Sequence, residues 1–253
     1  MEKDFYAEYF DAEDHHWWFV GRRRILLSIL DRYLPPAPAG RDRRILDVGC
    51  GTGTMLAHLA QYGVTEGVDA DSNAVRFCHR RGVSRVSHLT TDELPFAARE
   101  FDLVTAFDVL EHVEDDLGML REIERVLRPG GMLLLSVPAY RFLWGPHDEI
   151  NHHKRRYVSR HVRERLREAG LAVERVSYFN TLLFPPIAAT RILRPDRPRS
   201  RELKSDFALG PQRRMNSLLG RLFSTEAAVL PHLDLPFGVS ILGLAAKRDR
   251  EAA

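Results

Sequence analysis

Residues 44–53, Arg-Ile-Leu-Asp-Val-Gly-Cys-Gly-Thr-Gly, constrain the fold more than any other stretch of this 253-residue chain. A short apolar run reads as a buried strand, and Gly49, Gly51 and Gly53 let the backbone after it turn tightly and approach a ligand with no Cβ in the way. A helix is expected to follow, from Gly53 through Tyr62. Strand, glycine turn and helix in that order form the opening unit of a doubly wound α/β sheet. The glycine spacing is informative. A dinucleotide fingerprint wants Gly-x-Gly-x-x-Gly, and residue 54 here is Thr.

Short apolar runs alternate with amphipathic stretches from about residue 44 to 179, the pattern of parallel strands joined by helical crossovers. Further strands are expected at Val64–Asp69, around Val83–Ser87, at Phe101–Phe107, Met132–Val137 and Leu171–Phe179, and over residues 239–246. Helices are expected at Ser72–Arg81, with Ser72 as N-cap, at Asp115–Leu127 and at Ser159–Ala169. Arg-Pro-Gly-Gly at 128–131 and Gly170 are the stop signals. Upstream, Phe5–Phe10 and Arg22–Leu34 read as helices ahead of a Pro-rich linker. Roughly sixty residues rich in Pro, Arg and Leu separate the last two strands, and a connection that long is usually functional. The expected division is a helical lid segment over 1–40, an α/β domain over 41–179 and 237–248, and an inserted cap over 180–236.

A chain of this size can bury one good core, and 44% hydrophobic with 28% charged residues suggests neither disorder nor a membrane class. The formal charge of +2 does not call for a polyanionic partner. Local clusters at Arg22–Arg24, Lys154–Arg156 and Arg191–Arg201 read as solvated faces or as contacts to carboxylate and phosphate, rather than as a nucleic-acid interface. Cys50 and Cys78 give neither a disulfide framework nor a zinc site, which fits a reducing cytoplasmic compartment. With no signal-like segment and no run near the roughly 18 residues of a membrane span, the expectation is a soluble protein with at most peripheral membrane contact.

Asp69, in Gly67-Val-Asp-Ala-Asp71, ends the second strand, where a carboxylate can accept hydrogen bonds from both hydroxyls of a ribose. A strand-end or helix-capping role is the alternative. Taken together, the motifs resemble those of the class I S-adenosylmethionine-dependent methyltransferases, in particular the small-molecule group. The resemblance covers most of the chain and rests on Ile45–Gly53, Gly67-Val-Asp69, Leu94-Pro-Phe96 with Phe101-Asp-Leu-Val104, Asp108-Val-Leu-Glu-His-Val113, and Leu127-Arg-Pro-Gly-Gly-Met-Leu133, in the expected order. It implies a Rossmann-like, doubly wound seven-stranded sheet, mostly parallel with an antiparallel last strand, plus N-terminal helices and a helical insertion before that strand. It also implies S-adenosylmethionine across the carboxyl ends of the first strands. Gly49, Cys50, Gly51 and Gly53 would line its amino-acid part, with Asp47 supporting the loop or the ammonium group. Asp69 would hold the ribose, Ala70 with Thr91 or Asp92 would flank adenine, and Phe107 and Asp108 would flank the methionine moiety.

His15-His-Trp-Trp-Phe-Val-Gly-Arg-Arg-Arg24 concentrates aromatic and guanidinium groups ahead of the first strand. The segment could pack on the sheet edge with its arginines in surface ion pairs. Alternatively it folds over the carboxyl edge as a lid, an arginine fork meeting the cofactor carboxylate. The expectation is a mixture in which Trp18 packs and Arg22 or Arg23 reaches the site.

A sulfonium methyl is already electrophilic, so the protein's main task is alignment in a dry site, and a base is needed only where the acceptor keeps its proton. Candidates lie in His147-Asp-Glu-Ile-Asn-His-His-Lys-Arg-Arg-Tyr157, after the fifth strand. His147 and His152, with His112 of the Glu111-His112 pair, are the candidate catalytic residues, while His153 shares their structural alternative as a hydrogen-bonded residue. The spacing of His147, Asp148, His152 and His153 does not suggest a metal site. The expected activity is methyl transfer to a small-molecule acceptor, oxygen ahead of nitrogen or carbon. The apolar runs and arginines 191, 194, 197, 199 and 201 of the insertion suit a lipophilic or anionic one. The alternatives are an NAD-type oxidoreductase, a cofactor-binding or scaffold protein without turnover, and a nucleic-acid methyltransferase.

Overall fold

The computed structural model describes residues 5–37, 39–91, 93–193 and 213–248. Its strands are β1 (Arg44–Val48), β2 (Val64–Asp69), β3 (Val86–His88), β4 (Phe101–Phe107), β5 (Leu127–Pro138), β6 (Leu171–Phe179) and β7 (Ser240–Lys247). They form one sheet in the order β3-β2-β1-β4-β5-β7-β6, mostly parallel with an antiparallel last strand. β1 pairs in parallel with both β2 and β4, so Asp47 lies in register with Gly67 on one side and Thr105 on the other. The strand order reverses at β1 and β4, the switch point where doubly wound sheets open a ligand crevice beyond the strand ends.

The helices are α1 (Phe5–Ala12), α2 (Trp17–Tyr33), α3 (Thr54–Leu59), α4 (Ser72–Arg80), α5 (Asp116–Val126), α6 (Pro146–Ile150), α7 (Ser159–Glu168), α8 (Phe184–Leu193), α9 (Arg213–Ser224) and α10 (Glu226–Val229). Contacts among the described residues group the chain into two compact units. One comprises Met1–Leu34, Pro138–Val158 and Ser177–Ile241, the other Pro35–Val137, Ser159–Val176 and Leu242–Ala253.

Several element ends differ from the sequence expectation. α4 is capped by Asp71, whose carboxylate accepts the Asn73 N–H at 2.8 Å, so Ser72 is the first helical residue and not the cap. β5 starts at Leu127 instead of Met132. Phe101 pairs with Leu127 and Leu103 with Met132, and the Arg-Pro-Gly-Gly stretch is accommodated as an irregularity of register. α3 stops at Leu59, short of Tyr62. β3 is displaced to Val86–His88 and β7 ends at Lys247.

In the second unit the core is the parallel sheet itself: Ile45, Leu46, Leu103, Val104, Leu133 and Leu134 are fully buried. Near-continuous apolar runs are what a sheet covered on both faces requires.

In the first unit, α2 begins at Trp17, five residues before the expected Arg22. Two side chains make that start. His16 accepts the Trp18 N–H at 3.3 Å, and Asn216, far along the sequence on α9, accepts the Trp17 N–H at 2.8 Å while donating to the His15 carbonyl. Burial lowers the pKa of His16, which keeps its ring in the neutral form that can accept. α9 lies against α2 through Phe223, which is fully buried, meets Trp17 edge-on at 5.8 Å and stacks on Phe179.

This contact explains a glycine inside a helix. A Cβ on Gly21 would stand 2.3 Å from Cδ1 of Phe223. Gly21→Ala is therefore expected to lower stability by about 1–3 kcal/mol through overpacking, although alanine is otherwise the better helix former. A urea midpoint shifted downward would show it, and an upward shift would mean that the ring moves aside freely.

Candidate functional site

In the second unit, the glycine loop and the second strand are joined by one carboxylate. Asp69 Oδ2 accepts the N–H of Gly51 at 2.8 Å and Oδ1 accepts the N–H of Asp71 at 2.9 Å. Each oxygen retains a second lone pair, so the same carboxylate can accept two further donors. Burial pushes the Asp69 carboxyl above its ordinary range, while the two N–H donors act in the opposite direction.

The loop is left-handed where it turns. Gly49 has φ 69°, and a Cβ there would collide with Val109 Cγ2 at 2.5 Å. Gly51 has φ 55° and faces open space, with nothing within 4 Å of the position a Cβ would take. The first glycine is thus required by packing. The second leaves backbone exposed beside the Asp69 carboxylate, as a ligand with adjacent hydroxyls needs.

Asp47 is buried at the end of β1 and its Oδ1 accepts the Thr105 hydroxyl at 2.6 Å. Phe107 is buried at the end of β4. Asp108, turned into the left-handed region at φ 56°, accepts the Ser136 hydroxyl at 3.0 Å. Cys50 packs 3.9 Å from Cys78 Sγ, and that contact and burial together raise its thiol pKa far above the ordinary range, so it serves packing and not nucleophilic chemistry. Ala70 is exposed, its carbonyl 3.0 Å from the His88 ring, and Thr91 is exposed with its hydroxyl donating to the Glu93 carbonyl. Asp92 lies outside the described residues, as do arginines 194, 197, 199 and 201. Cys78, a residue no motif singled out, donates to the Gly51 carbonyl at 3.2 Å.

The first unit holds a buried ionic cluster around Asp148. Its carboxylate is fully buried and takes two bonds from Arg156, Nε at 2.8 Å and Nη2 at 3.0 Å, with the third arginine nitrogen donating to the Ala139 carbonyl. It also caps α6 by accepting the Gly145 N–H at 2.7 Å, and it meets His153 Nδ1 at 2.8 Å. Burial works against the charged form, but His153, Arg156 and the Gly145 N–H outweigh it and hold Asp148 well below the usual carboxylate range. With Nδ1 donating to a carboxylate, the neutral ring of His153 has Nε2 as its basic nitrogen, an assignment made from the hydrogen-bond network.

The three histidines expected to carry catalysis have other surroundings. His147, on α6, has its ring nitrogens 3.2 and 3.3 Å from Asn151 Nδ2 and meets the His153 ring edge-on at 5.7 Å. His152 is exposed at a left-handed φ of 54°. His112, in the second unit, is exposed in the turn after β4, next to buried Glu111.

The first unit gathers aromatic rings just after the end of β5. Tyr140 has φ 51°, a conformation that costs a non-glycine residue about 1–3 kcal/mol and tends to persist at functional sites. Its ring stacks on Tyr178 at 5.1 Å and stands 5.3 Å from Phe142 and 5.7 Å from Phe184, which in turn lies 5.4 Å from Phe237. Burial, then the hydroxyl contact with Tyr178, raise the Tyr140 pKa, so the phenol stays protonated. Phe142 and Phe237 remain 50% and 41% exposed, leaving ring faces available. No motif pointed to this group. Its members come from four separate stretches of sequence.

Trp18, Arg22 and Arg23 sit on the first turns of α2. The Arg22 guanidinium lies over the Trp18 ring at 5.1 Å, Trp18 meets Phe19 edge-on, and Arg23 donates to the Glu13 carbonyl at 3.1 Å.

Comparison with known proteins places these features in context. The family model for a methyltransferase domain matches residues 19–176. A Mycolicibacterium smegmatis protein described as a probable S-adenosylmethionine-dependent methyltransferase is 34% identical over 170 residues, covering 64% of this chain and 62% of that protein. The ubiquinone biosynthesis O-methyltransferase of Ralstonia nicotianae is 30% identical over 141 residues, 51% of this chain and 59% of the other. The matches therefore span less than two thirds of either relative's length. Among solved structures, the complex between the Haloferax volcanii Trm112 methyltransferase activator and a methyltransferase contains a chain similar in fold, with a TM-score of 0.61 at 22% identity, covering 98% of this chain and 96% of that one.

Proposed function

Because this chain belongs to the class I S-adenosylmethionine-dependent methyltransferases, we propose that it transfers a methyl group to an oxygen of a small aromatic or lipophilic acceptor. The observation that carries the cofactor half is the Asp69 carboxylate locked to the Gly51 N–H beside open space. The residues present suit the cofactor. Asp69 has lone pairs left for two ribose hydroxyls, the loop from Gly49 to Gly53 offers backbone to the amino-acid end, and Ala70 and Thr91 would flank the adenine. When bound, S-adenosylmethionine supplies a methyl group already activated by its sulfonium. Phe107 and Asp108 close the methionine end in this reading, and the hydride-transfer alternative falls with the family match.

Within the first unit, the partly exposed rings of Phe142 and Phe237 around the strained Tyr140 suit a flat apolar ring. The O-methyltransferase relative supports oxygen as the acceptor atom, and a phenolic oxygen keeps its proton near neutral pH, so a base is required. His153, its Nδ1 held by Asp148, fits that task better than His147, His152 or His112 because its basic nitrogen is defined.

Calorimetry tests the cofactor half. S-adenosylmethionine should bind, NAD should not, and Asp69→Ala should weaken binding about 100-fold by removing charge-assisted hydrogen bonds. NAD binding with no response to S-adenosylmethionine would sink the reading. Label from methyl-labelled cofactor should then appear on phenolic oxygen. Label on amines alone would overturn the acceptor assignment, and binding with no transfer to any acceptor would favour a protein without turnover.

A further inference from the structure

All ten large apolar side chains that stand exposed among the described residues belong to the first unit. Three of them form a stripe on α9: Met215, Leu218 and Leu222, at i, i+3 and i+7, are 55%, 66% and 40% exposed. The opposite face of α9 is already used. Asn216 caps α2, Phe223 fills the core against it, and a Cβ on Gly220 would lie 3.5 Å from Trp17. A surface helix of this kind ordinarily turns polar side chains outward, so an apolar outer stripe marks an interaction face.

Charge selects the occupant. α9 carries Arg213, Arg214 and Arg221 and no acidic residue, and α8 carries Arg191 and none either. Arg221 is exposed, and exposed Arg24 of α2 donates to Ser224 at the end of α9, extending the positive edge. A second copy docked across a twofold axis would set this arginine-bearing helix against itself. An anionic lipid surface meets both features at once, taking apolar side chains into the headgroup boundary while arginines stay at phosphate level. We propose that α9 docks the protein peripherally on anionic membrane through its Met215, Leu218 and Leu222 stripe and the exposed Arg221.

Co-sedimentation with vesicles tests this directly. The full chain should bind vesicles of phosphatidylcholine containing about one third phosphatidylglycerol, and bind pure phosphatidylcholine at least about tenfold more weakly. The triple change Met215→Ser, Leu218→Ser, Leu222→Ser and, separately, Arg221→Glu should each lower binding to the anionic vesicles by about tenfold or more. An unchanged circular dichroism spectrum and unchanged cofactor affinity in both variants separate loss of docking from loss of fold, and keep this test independent of the methyl-transfer reading. No vesicle binding, or equal binding to neutral and anionic vesicles, would overturn the proposal. So would a dimer in light scattering that the triple variant dissolves, since the stripe would then belong to a second copy.

Discussion

Asp148→Ala is expected to destabilise the protein by about 3–5 kcal/mol, the cost of breaking a buried ion pair from one side. The carboxylate is fully buried and its partner Arg156 is 8% exposed. Deleting the carboxylate leaves a guanidinium in the interior with two donors unpaired, and it also removes the cap of α6. Arg156→Met in the same background should recover part of the loss, because an apolar side chain needs no counter-charge there. The pH dependence follows from the sign of the shift. Asp148 titrates lower in the folded than in the unfolded chain, so its contribution is fully present above the unfolded value of about 3.9 and fades as pH falls through the folded value below it. The gap between wild type and variant in urea midpoint should accordingly be wide at pH 7 and narrow well below pH 4. A gap that is already small at neutral pH would mean that water reaches the cluster and screens it.

The sheet was legible because its signals are local. Buried parallel strands need continuous apolar runs, and helices need glycine and proline stops, so Phe101–Phe107 and Leu171–Phe179 could be placed to the residue. The glycine loop and Asp69 were legible for the same reason: a tight turn demands glycine at fixed spacing, and the acidic partner ends the next strand. What sequence could not show is how that carboxylate is used before any ligand arrives, tied to Gly51 and Asp71 through backbone N–H groups that no pattern of side chains encodes.

The ends of α2 and the acceptor-side groups were illegible because they depend on distant residues. The start of α2 at Trp17 rests on Asn216, 199 positions away. The aromatic group joins Tyr140 to Tyr178, Phe184 and Phe237, and nothing in the local sequence at Tyr140 announces a left-handed tyrosine. Within His147–Tyr157 the sequence put His147 and His152 forward as catalytic candidates and gave His153 a structural reading. The fold turns Asp148 toward His153 and leaves His152 exposed.

That distinction sets up the kinetic experiment. With a phenolic acceptor, His153→Gln is expected to lower kcat by about 10²–10⁴-fold, the usual range for loss of a positioned general base, with cofactor affinity unchanged. Glutamine keeps a polar side chain of similar reach beside Asp148, so the buried carboxylate is not left without a donor and the fold should survive. The pH profile separates a base from a merely structural histidine. The variant's kcat should climb with pH only as the acceptor itself ionises, whereas the wild type should not depend on that ionisation. Acceptor acidity provides a second readout: the deficit of the variant should shrink across a series of increasingly acidic phenols, because an acceptor that is already ionised has no proton to give up. A structural role would lower the rate equally for every member of the series. If kcat on the least acidic phenol is unchanged in His153→Gln, the base is another group, and His147→Gln and His152→Gln become the next variants to measure.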